Sequence, residues 1–275
     1  MEREISFATK IANNKAKTTN PITATKALAI TVTKTTMLQK LDTRMLTLAV
    51  TLAITLATTA STPTALVAQE ELLCNDETPN IVGTSGNDNI VGTSNEDVIA
   101  ALEGNDRIQG LAEGDRICGN DGDDALEGGE GNDTLLGGEG NDVAIGGAGD
   151  DSFGGGAGND VFRGGAGNDH SFGSEGNDEL YGGGGDDFRG LFGLEGNDLI
   201  DGGSGHDIRL EGNDGDDVIR GGAGNDELFG DSSAESGIGG TGNDFIDGGS
   251  GTDSADGGPG FDTCVNVENP VNCEA

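Results

Sequence analysis

The sequence predicts an all-β chain, a parallel β-roll (β-helix solenoid) of about ten 18-residue coils behind a disordered or helical N-terminal leader. Three observations predict it. An aspartate recurs every nine residues at Asp88, Asp97, Asp106, Asp115, Asp124, Asp133, Asp142, Asp151, Asp160, Asp169, Asp178 and Asp187. Most of these residues close a glycine-rich segment, such as Gly128-Gly129-Glu130-Gly131-Asn132-Asp133. An apolar residue often stands two places further on, as at Ile90, Ile99, Ile108, Ile117, Leu126 and Leu135. A strict short period means one structural unit stacked on itself.

Each unit reads as a turn of six residues followed by a strand of three. The strand places its apolar side chain inward and its neighbours outward. Two units bring the chain back to its starting side, so alternate units stack at the inter-strand spacing of about 4.8 Å. One side then stacks Asp88, Asp106, Asp124, Asp142, Asp160 and Asp178, and the other Asp97, Asp115, Asp133, Asp151, Asp169 and Asp187.

Beyond Asp187 the spacing slips. Asp198 follows after eleven residues, then Asp207, Asp217 after ten, and Asp226; Asp244, Asp253 and Asp262 finish the run. The apolar position is poorly filled at Ala144, Ser171, Arg189, Arg209 and Ala255. These features predict distorted coils over 188–198 and 230–242 with weaker or missing ions, the alternative being insertions that bulge out while stacking continues.

Composition narrows the function. The chain has 52 Gly, one Tyr, no Trp and a net charge of −36. Residues 1–44 carry eight Lys or Arg against three acids, whereas residues 45–275 carry six Arg, no Lys and 47 Asp or Glu. A polyanion of this density repels itself and needs counter-ions to condense. Its sign also excludes nucleic acid as a partner bound through phosphates. A disordered acidic tract would not hold a nine-residue phase.

The unit G-G-x-G-x-D-x-U-x, with U apolar, resembles the RTX or haemolysin-type calcium-binding repeat, over roughly Ile81 to Cys264. The resemblance implies several Ca2+ ions held between stacked turns. All the aspartates named above, from Asp88 to Asp262, are the candidate metal ligands, joined by carbonyls of the glycine segments. The chemistry agrees: calcium takes about six to eight oxygens and mixes carbonyls with carboxylates, whereas magnesium asks for stricter geometry. Up to about ten ions would fit the first block on this reading. Stacked carboxylates repel unless a cation lies between them, so metal binding becomes folding free energy. The Asn before many of the aspartates (Asn105, Asn132, Asn141, Asn159, Asn168, Asn225) reads as a turn former more than as a ligand.

The chain divides as a basic Thr- and Lys-rich leader or mis-assigned start (1–36), a signal peptide or membrane anchor (37–68), an N-terminal cap (69–82), the roll (83–264) and a cysteine-closed C-terminal cap (265–275). Met45–Ala57 has the length of a signal-peptide apolar region behind a basic flank, and the uncharged stretch to Ala68 is long enough for a span. Four cysteines allow three pairings. Their placement favours Cys264–Cys273 and Cys74–Cys118, which suits an oxidising compartment; no C-x-x-C supports zinc. A type I secretion substrate, the usual expectation for such repeats, carries a C-terminal signal and few cysteines, and this chain departs from that.

Nothing argues for an enzyme. His170 and His206 fall inside repeats, and no G-x-S-x-G elbow occurs. The expectation is a secreted calcium-binding repeat protein with a structural or matrix role, partnered by calcium ions. It meets a membrane only if the N-terminal segment is uncleaved. The alternative is a cell-surface adhesin or surface-layer component anchored by that segment. Ice binding would need a flat Thr row, but the third repeat position is Ser85, Glu103, Glu130, Glu139, Ala157 or Glu175, with Thr only at Thr241.

Overall fold

The computed structural model describes residues 74–231 and 242–274. The leader, the proposed signal segment and the middle of the 230–242 stretch lie outside the described residues. All regular structure among the described residues is β-strand. Twenty-one strands alternate between two parallel sheets, eleven in one and ten in the other. Each strand pairs with the next but one in sequence, which is the topology of a solenoid whose coil contains two strands.

A typical coil shows the register. Strand β6 (Ala125–Glu130) pairs with β8 (Val143–Ala148), setting Leu126 beside Ala144 and Gly129 beside Gly147. Between them on the other sheet runs β7 (Thr134–Glu139). The strands are six residues long and the turns three, where the sequence suggested the reverse division. The reason lies in the second glycine of each unit. Gly129 and Gly138 have φ of 123° and 125°, so the strand kinks there but keeps its pairing with the neighbouring coil. Leu102 and Leu111 occupy the same place at 87° and 94°, a conformation costing an L-residue roughly 1–2 kcal/mol.

The core is a single file of side chains, one per strand. Ile99, Ile108, Ile117, Leu126, Leu135, Phe162, Leu180, Ile200, Ile219 and Ile246 are all buried. Phe153 and Phe162 face each other across the two sheets with rings parallel at 5.2 Å. Ala144, Ser171 and Ala255 take core positions despite their small size.

The irregular stretches are absorbed locally. After Asp187, residues Phe188, Arg189 and Gly190 are displaced and Leu191 takes the core place beside Ser171. At Ile208–Leu210 a register shift lets Leu210, instead of Arg209, enter the core beside Leu191. Beyond residues 231–242 the strands resume in phase, with Val218 paired to Phe245 and Ile219 to Ile246. The expected coil distortion is therefore corrected: extra residues are taken up between Asp187 and Leu191 and by the register shift at Ile208–Leu210, and pairing resumes on either side of residues 232–241, so the sheets run on. Strand pairing outvotes spacing because every ladder hydrogen bond must be satisfied.

Both disulfides form, Cys74–Cys118 and Cys264–Cys273, with sequence separations of 44 and 9. The first ties the leading segment to the outer side of the early coils, where Arg116 also meets Glu77. The second closes the last strands, Thr263–Val265 and Asn269–Val271, each of which still pairs with the roll.

Candidate metal centre

The repeat aspartates form two buried columns. Each stands at the end of the turn that follows the glycine segment, just before the next strand, with its side chain buried in the coil. Asp97, Asp106, Asp115 and all later members down to Asp262 are at most 3% exposed. The columns are stitched by one repeated contact. The amide of each aspartate donates to Oδ1 of the aspartate one coil on: Asp106 to Asp124 at 2.7 Å, Asp124 to Asp142 at 2.8 Å, Asp142 to Asp160 at 2.8 Å.

The contact survives every insertion. Asp178 reaches Asp198 at 2.8 Å, Asp198 reaches Asp217 at 2.8 Å, and Asp217 reaches Asp244 at 2.9 Å across 27 residues. The second column continues through Asp187, Asp207, Asp226 and Asp253. Two residues that the spacing did not single out finish the columns. Glu268 accepts from the Asp253 amide at 2.7 Å and Glu274 from the Asp262 amide at 2.6 Å. They sit 15 and 12 residues on, so no period could reveal them.

Oδ1 is thus engaged, and Oδ2 is left over. From Asp106 to Asp262, seventeen column aspartates bury Oδ2 without a hydrogen-bond partner. Asp88 and Asp97 differ. Their Oδ2 accepts from the amides of Thr84 and Thr93, at 2.5 and 2.6 Å. The titration behaviour follows. Burial pushes Asp97 up, but hydrogen bonds from Thr93 and Asn80 outweigh it and hold the carboxyl below its usual value. In the orphaned members burial, aided by neighbouring carboxylates, wins: Asp142, Asp151, Asp178 and Asp187 rise to about 7 and Asp217 to about 8.

The glycines make this arrangement possible. A Cβ on Gly137 would overlap Asp142 Oδ2 and stand 2.7 Å from the Gly155 carbonyl oxygen of the next coil. The first repeat position is therefore glycine because a carboxylate oxygen and a carbonyl oxygen crowd its α-carbon. In the turn itself the carbonyls of Gly131, Gly140, Gly149, Gly158, Gly167 and Gly176 accept no backbone hydrogen bond. Each stands over the glycine of the following coil, where a Cβ would collide with it, as Gly131 O does with Gly149.

The asparagines act differently from the expectation. Asn159 donates its amide to Asn141 Oδ1 at 2.9 Å, and Asn177 donates to Asn159 Oδ1 at 2.7 Å. They stitch coil to coil on the outside, in the sense opposite to the aspartates, instead of capping their own turn.

The donor set suits a hard cation. Orphaned, charged carboxylate oxygens and free carbonyls are oxygen ligands of the kind calcium accepts. Among the described residues no three His, Cys, Asp or Glu side chains converge on one point. A bound ion would therefore draw on column carboxylates and on glycine-segment carbonyls together, and would supply the positive charge that the buried Oδ2 atoms lack.

Comparison with known proteins agrees with this geometry. The family model for the RTX calcium-binding nonapeptide repeat (4 copies) matches in nine segments, overlapping from 82–117 to 163–188 and then continuing as 191–208, 209–234 and 229–264. No curated protein matches the chain. With matches over residues 82–188 and 191–264, where the two buried acid columns also run, the chain belongs to the RTX calcium-binding nonapeptide repeat family.

Proposed function

We propose that the protein is a secreted, non-catalytic calcium-binding protein that folds as calcium enters between its stacked turns and serves a structural or matrix role outside the cell. The observation that carries this reading is the row of seventeen buried, unpartnered Oδ2 atoms. Ionised, they are too costly to bury without a cation. The apolar file is one side chain deep and offers little to offset that cost. Two disulfides suit an oxidising exterior. The histidines lend no support to catalysis: His170 lies edge-on to Phe172 at 4.6 Å, and the His206 amide donates to Asp186. The test is circular dichroism of the exported protein in EDTA and then in millimolar calcium. A large gain in β signal supports the reading; an unchanged, already folded spectrum overturns it.

Attachment to the cell surface, as an adhesin or surface-layer component, is the second reading. The uncharged stretch from Met45 to Ala68 favours it. Among the described residues no helix is long and apolar enough to cross a membrane. Fractionation of intact cells, with and without EDTA, separates a retained protein from a released one.

A further inference from the structure

Asn132-Asp133-Thr134 is the sole Asn-x-Ser/Thr tripeptide in the chain, although asparagine precedes many of the repeat aspartates. Such a tripeptide accepts N-linked sugar in an exported protein when it lies on the surface. Tripeptides of this kind also arise by chance, and what sets this one apart is its geometry.

Asn132 is exposed, in the turn before β7. Its Oδ1 accepts the Asp150 amide at 2.9 Å and so helps to hold the next coil. Its Nδ2, the atom that would carry the sugar, donates no hydrogen bond among the described residues. A glycosylated amide keeps its carbonyl oxygen as an acceptor, so the modification leaves the coil-to-coil contact in place. Other turn asparagines are unlike it. Asn168 donates Nδ2 to Asp150 at 3.1 Å, and Asn141 donates Nδ2 to Asp123 at 3.0 Å. There is also room. Two clefts, of about 470 Å³ and 350 Å³, meet at Asn132 and Thr134, and their walls include Arg116, Ser152 and the exposed ring of Phe188. An aromatic ring beside hydroxyl and guanidinium groups suits a sugar, whose C–H faces are apolar and whose rim is polar.

We propose that Asn132 carries an N-linked glycan whose first sugars lie in these clefts, along the outer face of the sheet that holds β7. The donor is an oligosaccharide joined through pyrophosphate to a lipid. Asn132 Nδ2 attacks the anomeric carbon and a C–N bond forms. The bond from that carbon to the pyrophosphate oxygen breaks, the lipid pyrophosphate leaves with the electron pair, and one Nδ2 proton passes to a base of the transferase. Transfer must precede folding. Asp133, the middle residue of the tripeptide, is 1% exposed in the closed coil, so an enzyme cannot grip the tripeptide there. A chain that stays open until it meets calcium presents all three residues, and in this respect the inference rests on the proposed export and folding.

The test is peptide mass spectrometry of the protein recovered from the medium and surface washings of its own cells. The expected result is a peptide containing Asn132 that is heavier by whole sugar residues. That added mass should vanish in Asn132→Gln and in Thr134→Ala and persist in Thr134→Ser. Thr134→Ala leaves Asn132 and its contact with Asp150 in place, so its loss of sugar would not reflect a broken coil. Unmodified Asn132 in the exported protein overturns the proposal and leaves the calcium reading intact. A protein found inside the cell alone, without sugar, overturns the export reading as well.

Discussion

The amide of Asp133 donates to Oδ1 of Asp151, eighteen residues on, at 2.8 Å, while Oδ2 of Asp151 is buried with no partner. This one relationship, repeated along both sides of the roll, sets the coil spacing with one oxygen and leaves a charge to be answered with the other. Structure and ion demand are thereby carried by the same side chain.

Acidity should mimic calcium. Burial raises the carboxyls of Asp142, Asp151 and Asp187 from 3.8 to about 7 and that of Asp217 to about 8. A folded-state pKa above the unfolded value contributes stability that is fully present below the unfolded value and is lost as pH rises through the folded one. The calcium-free chain should hence be most stable below about pH 4 and lose stability progressively from there up to about pH 8. Calcium should restore that stability at pH 8 and release protons on binding near pH 7, measurable by calorimetry in buffers of different ionisation heat. An EDTA-treated protein that gains no structure on acidification would contradict this.

Two glycines should respond unequally to one extra methyl group. Gly137→Ala drives a Cβ into Asp142 Oδ2 and against the Gly155 carbonyl, and should cost roughly 1–3 kcal/mol together with weakened calcium binding. Gly86→Ala meets nothing within 4 Å and should change stability by less than about 0.5 kcal/mol. Urea titrations in saturating calcium would compare them.

The two disulfides should differ in worth. The Cys74–Cys118 bridge spans 44 residues, so the chain-entropy relation assigns it about 4 kcal/mol, against about 2.6 kcal/mol for Cys264–Cys273, which spans 9. Replacing each pair by serine and following denaturation in saturating calcium gives the ranking. A larger loss from the C-terminal pair would refute it.

Glu274 should act as the end stop of its column. Glu274→Ala leaves the Asp262 amide without its acceptor and should destabilise the last coil by about 1–3 kcal/mol. Hydrogen exchange should show lost protection at the Asp262 amide with the Asp133 amide unaffected. Equal loss at both would mean that the roll unfolds as one unit.

Much of the architecture was legible beforehand. The nine-residue phase of the aspartates implied the two-strand coil and sorted Asp106 from Asp115 onto opposite sides, as their contacts with Asp124 and Asp133 show. Both disulfides are the pairing that the cysteine placement favoured, Cys74 just before the repeats with Cys118 inside them and Cys264 with Cys273 at the C-terminus. Less legible were residues whose role depends on what lands beside them. Thr84 and Thr93 look like ordinary variants of a glycine position, yet their amides close off Asp88 and Asp97. Glu268 and Glu274 break the period, so no spacing argument could reach them. Strand length was misjudged because glycines read as a turn can equally kink a strand that stays paired.

The sequence by itself determined the unit, its stacking and the need for positive charge, because a strict period and a fixed acid phase leave a parallel coil as the way to bury one apolar residue per unit. Only the tertiary structure decided which carboxylate oxygens are spent and which remain. That choice depends on backbone amides one coil away, up to 27 residues distant across an insertion, and contacts of that range follow the stacking of strands and not the order of residues.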